Sequence, residues 1–290
     1  MQSVNKVMID YSMKVARELK ASSLLVCIDV MRDIAALPEE IKKETGVIIV
    51  TREENELPDD LKKYARKLDI PNVSLTRVGT IKLAIAKGIV LGFFKKGDKI
   101  VCLSGVPRFG YADSIFVIDV GKEFEILTSD YINDIIESVR PEVFNAVLNL
   151  ACEIAAQGRE SKKIGTIFVL GDEEKVLQLS RQMIINPFLG YSEEQRNILN
   201  PELNETIKEF SAIDGAFIIK ENGAIITAGR HLSAALDSRD FPAGLGSRHI
   251  AAAGITNVTK AVAIVISESS GNVSVFKNGK LFVTIEKPVE

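Results

Sequence analysis

The chain of 290 residues contains two histidines, His231 and His249, both in its carboxy-terminal half and each directly after an arginine: Gly229-Arg230-His231 and Ser247-Arg248-His249. Glycines crowd the same stretch at 215, 223, 229, 244, 246 and 254. Imidazole can hold a metal or move a proton near neutral pH, guanidinium neutralises phosphate, and glycine lets backbone approach a ligand closely. Taken alone, an Arg-His pair on a loop is more often a piece of solvated surface.

Gly244-Leu245-Gly246-Ser247-Arg248-His249 leads into the run 250–254, IAAAG, expected to form a helix slim enough to lie against a sheet. Ser247 then falls near the N-cap. Unpaired backbone N–H groups, the helix dipole and the Arg248 guanidinium converge there, a natural place for phosphate. The spacing of a P-loop is absent. Asp214-Gly215-Ala216 opens an otherwise apolar strand candidate. A carboxylate in that position suits Mg2+ or Mn2+ beside substrate phosphates, and suits a plain turn as well. Ser267-Glu268-Ser269-Ser270-Gly271 closes another strand candidate with hydroxyls and a carboxylate, or is simply a polar hairpin.

These residues need a scaffold, and the apolar patterning supplies two. Residues 1–128 alternate apolar strand-length runs with amphipathic segments, which implies a parallel or mixed α/β sandwich covered on both faces. A helix is expected over 3–20, strands over Leu24–Val30, Val47–Thr51, Val73–Arg77, Lys99–Ser104 and Ser114–Val120, and an amphipathic segment over 57–68. Thr80 is expected to cap a helix reaching about Phe94. Residues 129–290 read as an α+β domain, a mixed central sheet flanked by helices. Helix is expected over 131–157 with an interruption at Pro141, then a polar linker over 158–163, a strand over Ile164–Leu170 and a helix from Asp172. Strands over Ile213–Lys220 and Ala224–Ala228 are joined by an Asn222-Gly223 hairpin signal, and a β-rich tail follows with a second at Asn278-Gly279.

Composition narrows the function classes. Hydrophobic residues make up 46% and charged residues 26%, with a net charge of −3, so a disordered chain and a basic nucleic-acid binder are both disfavoured. No apolar run approaches the roughly 20 residues of a membrane-spanning helix. Lys6, Asp10, Lys14, Arg17, Glu18 and Lys20 leave no room for a signal peptide in the first thirty residues. Cys27, Cys102 and Cys152 are scattered, as expected of packed, reduced thiols in a soluble cytoplasmic protein.

Asp214-Gly215-Ala216, then about thirty residues on Gly246-Ser247-Arg248-His249, then a strand ending Ser267-Glu268, resembles the diadenylate cyclase domain family. That family's markers are Asp-Gly-Ala and Arg-His-Arg, the latter usually preceded by Gly-Thr; Ser247 keeps the hydroxyl, whereas Ile250 replaces the final arginine and removes one cation. The likeness spans about residues 140–280, including the segment 163–172, KIGTIFVLGD. The segments 47–54, 73–107 and 114–121 are similar to the carboxy-terminal domain of pyruvate kinase, a module outside that enzyme's catalytic part. The combination matches the archaeal type of diadenylate cyclase.

The resemblance implies that two ATP molecules are joined into cyclic di-AMP with release of two pyrophosphates, on two domains of a homo-oligomer meeting face to face. It implies that Asp214, His249 and Glu268 hold Mn2+ or Mg2+. Ser247, Arg248 and Ser267, with Gly246, bind the triphosphate; Gly215 permits close approach of substrate, and Ala216 adjoins the ribose. Asp214, Arg248 and His249 would carry the chemistry, with Asp214 nearest to take the 3′-hydroxyl proton. Two further readings stay open: a non-catalytic sensor of ATP or cyclic di-AMP, and an assembly protein without nucleotide.

Overall fold

The apolar runs of the amino-terminal half become a five-stranded sheet in the computed structural model, which describes residues 4–32, 37–41, 46–122, 135, 137–158, 163–234 and 246–288. The chain divides into two units, Met1–Ser129 and Asp130–Glu290. The first contains α1 (Val4–Glu18), β1 (Ser23–Cys27), α2 (Leu37–Ile41), β2 (Val47–Arg52), α3 (Asp59–Lys62), β3 (Arg66–Ile70), α4 (Arg77–Val90), β4 (Lys99–Gly105) and β5 (Ala112–Asp119). Its sheet order is β3-β2-β1-β4-β5, parallel through the first four strands and antiparallel at β5. Parallel neighbours need crossovers, and burial on both faces explains why β1 and β4 are apolar almost throughout.

Three local expectations are corrected. The strand expected over Leu24–Val30 stops at Cys27, because Ile28–Val30 forms a single 3-10 turn. That turn sets the Asp29 carboxylate to accept from Thr51 Oγ1, the Arg52 backbone N–H and Asn55 Nδ2, at 2.8, 2.6 and 2.9 Å. The third strand lies at Arg66–Ile70, inside and just beyond the segment read as amphipathic, and not at 73–77. Leu68 and Ile70 alternate into the core there, a period of two that Pro71 ends. The cap of α4 is Thr76, whose Oγ1 accepts from the Gly79 N–H at 2.8 Å, while Thr80 donates back to the Thr76 carbonyl at 3.1 Å. The helix stops at Val90, four residues short of Phe94.

The second unit contains α5 (Pro141–Gln157), β6 (Ile167–Leu170), α6 (Glu173–Gln178), β7 (Ser180–Gln182), α7 (Asn204–Phe210), β8 (Ala216–Ile219), β9 (Ile225–Leu232), α8 (Ser247–Val258), β10 (Val262–Ile266), β11 (Val273–Lys277) and β12 (Lys280–Ile285). Pro141 starts α5 where an interruption was expected, since a proline at the first helical position lacks only an N–H that would go unbonded. The seven strands are ordered β12-β11-β10-β6-β8-β9-β7. Only β6 and β8 pair in parallel, so the sheet is mixed and its tail antiparallel. The last hairpin turns through Asn278 and Gly279, both at positive φ (50° and 74°), as the Asn-Gly signal implies.

The core of this unit joins α8 to one face of the sheet: Ala252, Ala253 and Ile255 pack with Ile167, Val169, Ala216, Ile218 and Phe276. Small side chains on α8 let it lie close against β10 and β11, which fixes where its first turn ends up. Strand β9 runs on past Ala228 to Leu232, so Arg230 and His231 are strand residues, not loop residues. Asp172 precedes α6 at φ 47° without capping it; its carboxylate instead accepts the Lys260 N–H at 2.7 Å.

The thiols of Cys27, Cys102 and Cys152 are buried and unbridged, and burial pushes that of Cys27 up to about 12. Among the described residues no helix is long and apolar enough to cross a membrane. The boundary expected at 128/129, the helix start expected at Tyr131, most of the linker 158–163 and Gly244 lie outside the described residues.

Candidate active site

Helix α8 begins at Ser247 with Gly246 as N-cap in extended conformation, φ −70° and ψ 166°. Among the described residues no side chain caps it, and no acidic residue sits in its first turn. Like the first residues of any helix, Ser247 and Arg248 have backbone N–H groups with no carbonyl inside the helix to receive them. Among the described residues nothing lies within 4 Å of where a Gly246 Cβ would be, at this positive helix end. It faces a cleft of about 650 Å³ lined by 246–249, by the turn after β10 with Ser267, Glu268, Ser269 and Ser270, and by Asn272, Ser274 and Thr284. Hydroxyls and one carboxylate therefore surround the uncapped turn.

Arg248 links this cleft to a second recess of about 180 Å³, lined by Asp214, Gly215, Ala216 and His231 together with Ile167, Leu232 and Ala251. Its Nη1 donates to Glu268 Oε2 at 2.8 Å and its Nη2 to Asp214 Oδ1 at 3.4 Å. The guanidinium is partly buried, whereas the side chains of Asp214 and Glu268 are 81% and 61% exposed. Both carboxylates thus keep oxygen lone pairs turned to solvent. The arrangement unites Asp214, Ser247, Arg248 and Glu268 around one cation.

His249 stands apart from them. It is buried, its ring edge-on to Phe276 with centroids 5.9 Å apart, and burial lowers its pKa below the ordinary 6.5, which keeps the imidazole neutral. Among the described residues no three His, Cys, Asp or Glu side chains gather closely enough to hold a metal ion. Asp214, His249 and Glu268 therefore do not form one ready-made ligand set. Arg248 stands between the carboxylates, and His249 packs toward β11.

Gly215 has a reason beyond the expected one. At φ 117° its Cβ would meet the β9 backbone at Gly229 and Arg230, 2.7–2.8 Å away, so the residue permits the close approach of β9, and it also lines the recess. A residue that sequence reasoning passed over is Gly165, within the KIGTIFVLGD segment. A Cβ there would lie 2.7 Å from Arg248 Nη1 and 2.8 Å from Glu268 Cβ. The space it leaves is what seats the Arg248–Glu268 pair.

Residues 5–128 match the family model described as "Probable sensor domain DacZ_P", and residues 153–281 match "DisA bacterial checkpoint controller nucleotide-binding". A protein of Methanocaldococcus jannaschii named diadenylate cyclase is 30% identical over 298 aligned positions, covering 96% of this chain and 95% of that protein. The chain belongs to the diadenylate cyclase family. A diadenylate cyclase of Haloferax volcanii is 35% identical over 71% of this chain and 74% of its own length. The cyclic di-AMP synthase CdaA of Bacillus subtilis is 46% identical over 68 residues, 23% of this chain and 24% of that one.

Within this diadenylate cyclase, the pair Arg230-His231 divides in two. Arg230 is structural: its guanidinium donates to Ser180 Oγ at 2.9 Å and to the carbonyls of Leu177 and Ser180 at 2.9 and 2.6 Å, tying β9 to the end of α6. His231 is exposed at the recess that contains Asp214.

Proposed function

We propose that the second unit condenses two ATP molecules into cyclic di-AMP, each 3′-hydroxyl attacking the other nucleotide's α-phosphorus as pyrophosphate departs. One observation carries this reading: an uncapped helix end and Arg248, flanked by two exposed carboxylates, open together on a hydroxyl-lined cleft. Full-length similarity to proteins named diadenylate cyclase supports the same reaction.

Phosphoryl-type transfer depends mainly on positioning and on charge neutralisation, and these residues supply both. Ser247 and Arg248 bind phosphate through backbone N–H groups and the guanidinium, and Arg248 neutralises charge as pyrophosphate leaves. Ser267 and its neighbouring hydroxyls hold the distal phosphates, with Gly246 leaving the approach open. Asp214, beside the recess, accepts the 3′-hydroxyl proton, and Ala216 lines the ribose end. The donor types suit Mg2+ or Mn2+, which take one or two carboxylates together with substrate phosphates. Asp214 would anchor that ion beside the substrate phosphates; Glu268, paired with Arg248, and His249, packed against Phe276, are not gathered with it into one ligand set. When bound, it supplies positive charge at the phosphates and acidifies the hydroxyl.

Each chain carries one such site, so we propose that two second units face one another in a homo-oligomer, each presenting one ATP. The first unit, whose segments resemble the pyruvate kinase carboxy-terminal domain, takes no part in the chemistry.

The test is incubation of the protein with ATP and Mn2+ or Mg2+, reading products by chromatography and mass. Cyclic di-AMP with two pyrophosphates per product is expected. Bound but intact ATP under both metals would replace this reading with that of a sensor.

A further inference from the structure

Lys277 is a charged side chain held inside the second unit. It closes β11 with 2% of its surface exposed. Its register partner Val262 opens β10, at the end of the sheet away from Ser267 and Glu268. A buried ammonium is costly unless its donors are taken. Here Nζ donates to Ser138 Oγ at 2.7 Å and to the carbonyl oxygen of Lys260. The amide of Lys260 is held as well, since its N–H donates to the Asp172 carboxylate at 2.7 Å. Both backbone groups of one residue are thus gripped by charged side chains from two distant parts of the chain.

Lys260 lies in the short link 259–261 between α8 and β10. Helix α8 starts at Ser247 in the cleft, and β10 ends at Ile266, directly before Ser267 and Glu268. The two arms that leave the link therefore carry Arg248 at one tip and Glu268 at the other, and the tips meet at 2.8 Å. Twelve helical residues set the link about 18 Å from that contact, so a rotation of about three degrees there moves a tip by about an ångström. The Gly279 N–H adds a tie to the last turn of α8, donating to Thr256 Oγ1 at 3.2 Å. A cavity of about 430 Å³ adjoins Ser138, Asp172, Lys260 and Lys277 and leaves the link room to shift once these bonds are lost.

We infer that Lys277 is a positioning residue for cyclic di-AMP synthesis. With Asp172 it clamps the backbone of Lys260, and so sets the angle between α8 and β10 that brings Arg248 and Glu268 together. The inference rests on the cyclase reading above.

The experiment measures steady-state cyclic di-AMP synthesis, thermal melts and amide hydrogen exchange over residues 247–253 in Lys277→Met, Asp172→Ala and the double variant. In Lys277→Met kcat is expected to fall about thirtyfold with KM for ATP within about threefold, because small displacements of reacting groups are that costly. Exchange over 247–253 rises about tenfold, far from the substitution. Asp172→Ala lowers kcat about tenfold and carries the test if Lys277→Met does not fold. The double variant loses no more than about twice what Lys277→Met loses, since both side chains act on one residue. A lowered melting temperature with wild-type kcat and exchange in the folded single variants overturns the inference, because the lysine then only holds the fold together. Losses that multiply in the double variant also overturn it. A wild-type protein that makes no cyclic di-AMP sinks the cyclase reading; the clamp is then judged on exchange over 247–253, and unchanged exchange in both single variants overturns it.

Discussion

Asp29 in the first unit and Asp214 in the second are both carboxylates beside strand ends, and they are treated in opposite ways. Asp29 accepts three hydrogen bonds from Thr51, Arg52 and Asn55, which fasten the end of β2 to the turn after β1. Among the described residues Asp214 meets only its own neighbour's N–H at 3.1 Å and, in a long contact, Arg248, and its side chain is 81% exposed. The arginines repeat the contrast. Arg77 and Asp113 form a closed two-point pair whose guanidinium lowers the Asp113 carboxyl from its ordinary value. Arg248 divides itself between two exposed acids. Charges satisfied within the fold hold structure together; charges left reachable are those that can act on a ligand.

The sharpest break of that comparison is Asp214→Asn. Cyclic di-AMP synthesis should fall about a thousandfold while the melting temperature stays within about a degree, because an exposed side chain carries little stability. Product formed at the wild-type rate would remove Asp214 from the mechanism. Next in size is Gly165→Ala, which forces Arg248 and Glu268 out of register. About a hundredfold loss in kcat is expected with phosphate binding weakened, since a displacement near an ångström costs that much. A crystal structure of the variant with Arg248 and Glu268 unmoved would contradict it.

Asp29→Ala tests the other side. It should lower the stability of the first unit by about 2 kcal/mol in denaturant titrations, by leaving buried Thr51 and its neighbours without an acceptor, and leave kcat of the folded protein unchanged. The smallest effect concerns His249. Its pKa is lowered in the folded state by burial, so the unfolded chain binds the proton more readily. Its contribution to stability is present above about 6.5 and lost as pH falls through the lower folded-state value. His249→Phe should flatten thermal melts over that window; an unchanged pH dependence would mean the imidazole titrates as if exposed.

Much of this was legible in the residues. The apolar runs at 47–51, 99–104 and 262–266 became strands, and the clusters at 214–216, 246–248 and 267–268 came together around Arg248, because glycines and hydroxyls mark where strands and helices end. The third strand was misread because Arg66-Lys67-Leu68-Asp69-Ile70 is half charged and exposes one face, so its period of two hides within a longer amphipathic pattern. Gly165 was overlooked for a different reason. A glycine before an apolar strand shows nothing of what lies above it, and Arg248 is distant in sequence. Its one local signal was an absence of side chain at the edge of a central strand. The separation of His249 from the carboxylates follows from the turn of the helix, which carries successive side chains to different faces.

The bridge from Arg248 to both acids also bears on how the enzyme meets its substrate. A long, flexible side chain normally loses about 1.5–2 kcal/mol of rotamer freedom when a ligand freezes it. Here that loss is incurred during folding, because Glu268 at 2.8 Å and the space above Gly165 already hold the guanidinium in place. An arriving triphosphate exchanges one set of anionic partners for another, against a site whose shape is settled beforehand.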